Sequence, residues 1–101
     1  MSSFHFSKDE RDARFCYVSP ERLNYIDDEH DGELLSALSA KLELGEDIPE
    51  VTVFENDGEF YIDGGTESAL AYAFNLYTYT PVTLVKGSAG ERKYVRMKNS
   101  L

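Results

Sequence analysis

The stretch with the most chemical potential is Asp63-Gly64-Gly65-Thr66-Glu67-Ser68. A glycine pair that feeds the first turn of a helix leaves backbone N–H groups without intrahelical partners, and such groups attract anions. Asp63, Glu67 and Ser68 add two carboxylates and a hydroxyl, which with a bound metal would suit phosphoryl chemistry. Against that chemistry, no His, Arg or Lys stands beside the turn to stabilise a transferring phosphoryl group. Asp63 also has an ordinary structural job, because an Asp side chain accepts backbone hydrogen bonds in a turn.

The other reactive side chains are sparse. Cys16 is the one cysteine, which excludes an internal disulfide and a cysteine-cluster zinc site, and it reads as a buried strand residue. His5 has no second ligand near it in sequence and reads as a surface residue. His30 sits in Asp27-Asp28-Glu29-His30-Asp31-Gly32-Glu33. Ligands packed side by side on a chain rarely converge on one ion, and a calcium loop needs its glycine earlier than Gly32. No metal, cofactor or catalytic residue is therefore expected.

The elements that must position the glycine turn are legible on either side of it. Residues 51–85 read as strand, tight turn, strand, glycine pair, helix and strand. Val51, Val53 and Phe54 are β-formers, and Asn56-Asp57-Gly58 is turn chemistry. Phe60-Tyr61-Ile62 resumes the strand. Ala69, Leu70, Ala73 and Phe74, with Tyr77 beyond, recur at the spacing of one helix face. Thr80 to Val85 is a strand with Pro81 at its start. Tyr72, Tyr77 and Tyr79 either flank that helix and pack there or form an interface patch.

Upstream, residues 1–13 read as a flexible arm and 14–101 as one domain. Residues 14–18 read as a strand, and Ser19-Pro20 opens a short helical turn. A helix is expected over 32–44, capped by Asp31, with Leu34, Leu35, Leu38 and Leu42 on one face and Gly45 at its end. Residues 91–97 read as a final strand or helical turn, touching the body through Tyr94, Val95 and Met97.

Charge divides the chain. Residues 1–85 carry 5 basic and 18 acidic side chains, a net of −13, and residues 86–101 carry 5 basic and 1 acidic, a net of +4, giving the −9 of the whole. Such a body repels DNA, RNA and anionic membranes and attracts basic surfaces. No apolar stretch is long enough to span a membrane and no apolar signal core opens the chain, so a cytoplasmic protein is expected.

The order strand, acidic turn, Leu-rich helix, Pro, hairpin, glycine break, Ala-rich helix and Pro-Val strand resembles the ParB/sulfiredoxin superfamily. The text that carries the resemblance is ELLSALSAKLELGEDIPEVTVFENDGEFYIDGGTESALAYAFNLYTYTPVTLV, within a likeness spanning roughly residues 14–85. It implies a small α+β domain, a mixed sheet with helices packed against it. It also implies a nucleotide site at the break, where family members place basic residues or His after the glycine (Gly-x-x-Arg, or Gly-Gly-Cys-His-Arg in sulfiredoxins). Here the reactive-cysteine position is Thr66, the His position Glu67 and the Arg position Ser68. Thr66 cannot form a thiolate. Glu67 puts negative charge where a phosphate would sit, at a cost on the order of 1 kcal/mol or more. Asp63, Gly64, Gly65, Thr66, Glu67 and Ser68 thus read as a vestigial nucleotide pocket, without sulfiredoxin activity.

The functional expectation is a non-catalytic acidic binding protein, of the kind phages and plasmids use as inhibitors. Its partner would be a basic, nucleic-acid-binding protein, and in one version the chain mimics DNA. The expected partner-binding carboxylates are Asp27, Asp28, Glu29, Asp31, Glu33, Glu43, Glu46, Asp47 and Glu50. Direct binding to nucleic acid is disfavoured, no membrane partner is expected, and a homodimer through an edge strand is a further reading. The alternative is a nucleotide-binding protein or hydrolase that uses the Gly64-Gly65-Thr66 turn.

Overall fold

A computed structural model describes residues 13–26 and 29–100. The expected N-terminal arm lies outside the described residues except for Ala13, which opens the first strand. Five strands, β1 (Ala13–Val18), β2 (Leu23–Asn24), β3 (Val51–Asn56), β4 (Glu59–Gly64) and β5 (Thr80–Val85), form one sheet in the order β1-β5-β3-β4-β2. β1 runs antiparallel to β5 and β3 antiparallel to β4, whereas β5 with β3 and β2 with β4 are parallel. The sheet is therefore mixed, and three helices, α1 (Gly32–Glu43), α2 (Thr66–Phe74) and α3 (Ala89–Asn99), complete an α+β architecture.

Local chemistry explains each boundary. Asp57 and Gly58 take φ of 54° and 80°, the two-residue hairpin turn that suits twisted strands. Asp31 caps α1, its Oδ1 accepting from the N–H groups of Glu33 (3.0 Å) and Leu34 (3.2 Å). At the other end Gly45 adopts φ 77°, and Glu46 N–H reaches back to the Lys41 carbonyl, a Schellman closure. The short turn Pro20–Arg22 carries proline at its first position as expected. Ser19 does not cap it, because the hydroxyl donates to Glu21 instead.

The first face of the sheet packs on α2. Val18, Leu23, Val51, Val53, Ile62 and Val82 meet Ala69 there. Leu35, Leu38 and Leu42 of α1 meet Ala71 on the other side of α2. This sandwich corrects the expected helix face. Small Ser68, Ala69 and Ala71 are buried because α2 is pressed from two directions, and Phe74 is left 64% exposed. Leu34 likewise points outward, away from the packed stripe of Leu35, Leu38 and Leu42.

Over β3 and β4 the second face is covered by α3, so the last segment is a helix and not a strand, while Phe15 and Tyr17 of β1 stay exposed. Phe54 is fully buried, its ring 5.5 Å from Tyr61 and 5.6 Å from Tyr94 of α3. Burying a Phe side chain contributes about 2 to 3 kcal/mol. Two polar contacts hold the helix ends. Ser88 donates to Asp63 Oδ1 (2.9 Å) at the N-terminus, and Lys98 binds Asn56 and pairs with Asp57 of the hairpin turn at the C-terminus. The Lys98 pair is exposed and contributes under about 1 kcal/mol.

Candidate functional site

The glycine turn lies where β4 ends, α2 begins and α3 crosses the sheet. Thr52 pairs with Gly64 and Val53 with Ile62, so Asp63 is an extra residue in β4. Such a bulge re-aims a side chain. Here it turns the Asp63 carboxylate to Ser88, the N-cap of α3, in place of the backbone bonds expected within its own turn. Gly90, in the first turn of α3, sits so close that an added Cβ would run into Asp63 Oδ1.

Gly65 serves the packing of two backbones, and Gly64 the approach of the Thr52 side chain. Gly65 takes φ 82°, and a Cβ there would overlap the Glu50 carbonyl oxygen and stand 3.0 Å from Val51 Cα. A Cβ on Gly64 would lie 2.9 Å from Thr52 Oγ1. Hydrogen in place of a side chain lets the turn press against the start of β3.

The remaining motif residues point in different directions. Thr66 lines a groove of about 440 Å3 with Ile62, Asp63, Lys93, Tyr94 and Met97. Glu67 turns away toward α1, where its Oε2 accepts from the N–H of Asp31 at 3.0 Å. A carboxylate therefore sits between the N-terminal ends of two helices, a position that stabilises negative charge. Ser68 is 1% exposed, and its hydroxyl has no hydrogen-bond partner among the described residues. It is a packed residue with no access to the groove. The first turn of α2 carries no side-chain cap, because Gly65 has none to offer.

Lys93 is the cation that sequence reasoning missed at this site. No local signal reveals it, since it lies 27 positions beyond Thr66 and reaches the groove only through the docking of α3. Tyr94 was expected to touch the body, and it does so at the most crowded ring cluster, 4.5 Å from Tyr61. The Tyr61 phenol is pushed up to about 12, first by its hydrogen bond to Tyr94, then by burial and the nearby charges. On the far sheet edge, Cys16 is half-buried and its thiol is pushed up by that burial, against a smaller opposing effect of Arg14.

The expected partner-binding carboxylates divide between the two ends of α1. Glu29, Asp31 and Glu33 lie at its N-terminal end, beside Glu67. Asp27 and Asp28 fall outside the described residues. Glu43, Glu46, Asp47 and Glu50 follow at its C-terminal end, about 18 Å away for a helix of 12 residues. All the described ones are exposed. Asp31 caps α1 and Glu50 accepts from Thr83 Oγ1 at 2.9 Å, whereas the side chains of Glu43, Glu46 and Asp47 make no hydrogen bond or ion pair among the described residues. Among those residues no group of three His, Cys, Asp or Glu is placed to hold a metal ion. No helix in the described residues is long and apolar enough to cross a membrane.

With the architecture and the turn in view, the class is a mixed-sheet α+β domain whose glycine turn joins a bulged strand to a short helix. The sequence matches no protein-family model and no curated protein. Solved structures match it well. One is sulfiredoxin from Arabidopsis thaliana, at a TM-score of 0.66 and 15% identity, over 83% of this chain and 94% of that one. Another is C-terminally truncated chromosome-partitioning protein ParB from Caulobacter crescentus, complexed with CTP-gamma-S, at a TM-score of 0.61 and 18% identity, over 83% of this chain and 53% of that one. The chain has the ParB/sulfiredoxin-like fold.

Proposed function

We propose that this chain is a non-catalytic acidic binding protein that engages a basic, nucleic-acid-binding protein, as phage- and plasmid-type inhibitors do. One observation carries the reading: Glu43, Glu46 and Asp47 are exposed at the C-terminal end of α1, with no hydrogen bond or ion pair among the described residues. That end of a helix carries partial negative charge, so acids there are placed against the helix dipole. Acids placed against the interest of the fold are explained by a cationic partner. In the DNA-mimic version, this cluster and the Glu29-Asp31-Glu33 cluster stand in for separated phosphates. Glu67 and Ser68, in place of the His and Arg that the resemblance implies at the turn, support a binding role over catalysis.

The competing reading is a nucleotide-binding protein or hydrolase. Two observations favour it: the ParB neighbour is complexed with CTP-gamma-S, and the uncapped first turn of α2 lies beside Lys93. Against it, a phosphate at the turn would face Asp63 as well as that lysine, and Glu67 adds negative charge to the first turn of α2.

The test is capture from a bacterial lysate at low salt, with wild type beside the triple variant Glu43→Lys, Glu46→Lys, Asp47→Lys. The reading expects a basic nucleic-acid-binding protein on the wild type, released by high salt and absent from the variant. Equal retention on both proteins would contradict it.

A further inference from the structure

A second groove, at the opposite end of α2 from the glycine turn, encloses about 710 Å3 between the Pro20–Arg22 turn and the segment after α2. Pro20, Tyr25, Leu70, Leu76, Tyr77 and Tyr79 line it, with Glu21 at the rim. Its most unusual member is Leu76, which has φ 60° and is 88% exposed. Leu76 closes α2 in the same way that Gly45 closes α1. Its N–H bonds the Ala73 carbonyl, and Tyr77 N–H reaches the Tyr72 carbonyl, each at 3.1 Å. That left-handed position favours glycine, and an L side chain there is strained. So exposed a leucine also gains little from burial. Both effects disfavour Leu76 in the isolated chain, and a strained, exposed apolar residue beside a groove points to an interaction.

The charge around the groove says what it would accept. Glu21 stands on one side. On the other, Tyr77 meets Tyr72 edge-on at 5.1 Å. The Tyr72 phenol is pushed up by burial first, then by Tyr77 and by the charge of Asp47. Through Tyr77 the groove adjoins Tyr72, which packs against the leucines of α1. We infer that the groove docks an apolar side chain of a partner segment flanked by lysine or arginine, with Leu76 packing against the inserted residue. The inference rests on the basic-partner reading and names the anchor that reading lacks. A second copy of this chain fits poorly, because Glu21 is the charged residue of the lining and the chain carries a net charge of −9, so like charges would meet.

The probes are two short lysine-rich peptides, identical except for a central Trp or Ala. They are titrated into the full chain by Trp fluorescence and amide NMR, with Leu76→Gly as the variant. The Trp peptide is expected to bind about tenfold more tightly than the Ala peptide, to shift the amides of Leu76 to Tyr79, and to lose about tenfold on Leu76→Gly. The variant should melt no lower than wild type, so lost binding cannot be lost folding. Equal, salt-released binding of both peptides without shifts at Leu76 to Tyr79 would overturn the groove and leave the basic-partner reading standing. Binding of neither peptide would count against both. A concentration-dependent dimer that Leu76→Gly dissociates would replace the basic segment with a second copy and overturn the inference.

Discussion

Replacing Gly65 by alanine separates a glycine needed for packing from one kept for a ligand. The φ of 82° alone costs an L residue about 1 to 2 kcal/mol. The new methyl must also displace the Glu50 carbonyl, on the first residue before a fully buried strand segment. Overpacking of that kind adds about 1 to 3 kcal/mol. Gly58→Ala is the internal control, with φ 80° and open space where its Cβ would go. The expected cost is therefore about 1 to 2 kcal/mol for Gly58→Ala and about 2 to 5 kcal/mol for Gly65→Ala. For a domain of this size each kcal/mol lowers the melting temperature by about 4 to 8 °C. Thermal unfolding followed by circular dichroism should place Gly65→Ala at least ~5 °C below Gly58→Ala. Equal melting temperatures would refute the packing argument and return the glycine to a ligand-binding role.

Other outcomes follow from the same contacts. Asp63→Ala removes the acceptor for Ser88 and should leave the sheet folded while α3 becomes more accessible to protease, at a stability cost of about 1 kcal/mol; unchanged protease resistance would contradict the latch. Gly90→Ala should do the same by pushing the Asp63 carboxylate aside. In a spectrophotometric titration Tyr61 should ionise last among the tyrosines, near the value of about 12, and Tyr94→Phe should bring it down. The folded state stabilises the neutral phenol, so that contribution is complete below pH 10 and is lost as pH rises from about 10 to about 12. Lys98, raised chiefly by its hydrogen bond to Asp57, acts in the same direction. The triple change of Glu43, Glu46 and Asp47 to Lys should not lower the melting temperature, since cations suit a helix C-terminus, even though it removes the proposed partner surface.

Much of the fold is legible along the chain because its signals are local. Asp31 before an apolar stripe, Asp57-Gly58 between β-formers and Gly45 past a helix each settle a boundary from a few neighbouring residues. The buried face of α2 was not legible in this way. Periodicity selects large residues, whereas a helix pressed between a sheet and α1 buries Ala69 and Ala71 and exposes Phe74. The same holds at the site. The glycine pair announces a tight turn, yet its closeness to Glu50 and Val51 is a tertiary fact. The engagement of Glu67 with Asp31, the Asp63–Ser88 latch and the arrival of Lys93 depend on pairs separated by 25 to 36 positions, or on the docking of α3. The acids at the start of α1 also differ in kind from those at its end. Asp31 is a cap, so reversing its charge would weaken the helix and confuse a binding test, whereas Glu43, Glu46 and Asp47 carry no such role.

The central claim is that the turn from Asp63 to Ser68 is built into the packing of the domain and that binding takes place elsewhere. Amide NMR of the wild-type chain during titration with CTP and then ATP, each with Mg2+, tests it most directly. The account predicts that the Gly64, Gly65, Thr66 and Glu67 resonances stay in place up to millimolar nucleotide. A saturable shift of those amides that includes Lys93 would contradict it and make the nucleotide reading the working one.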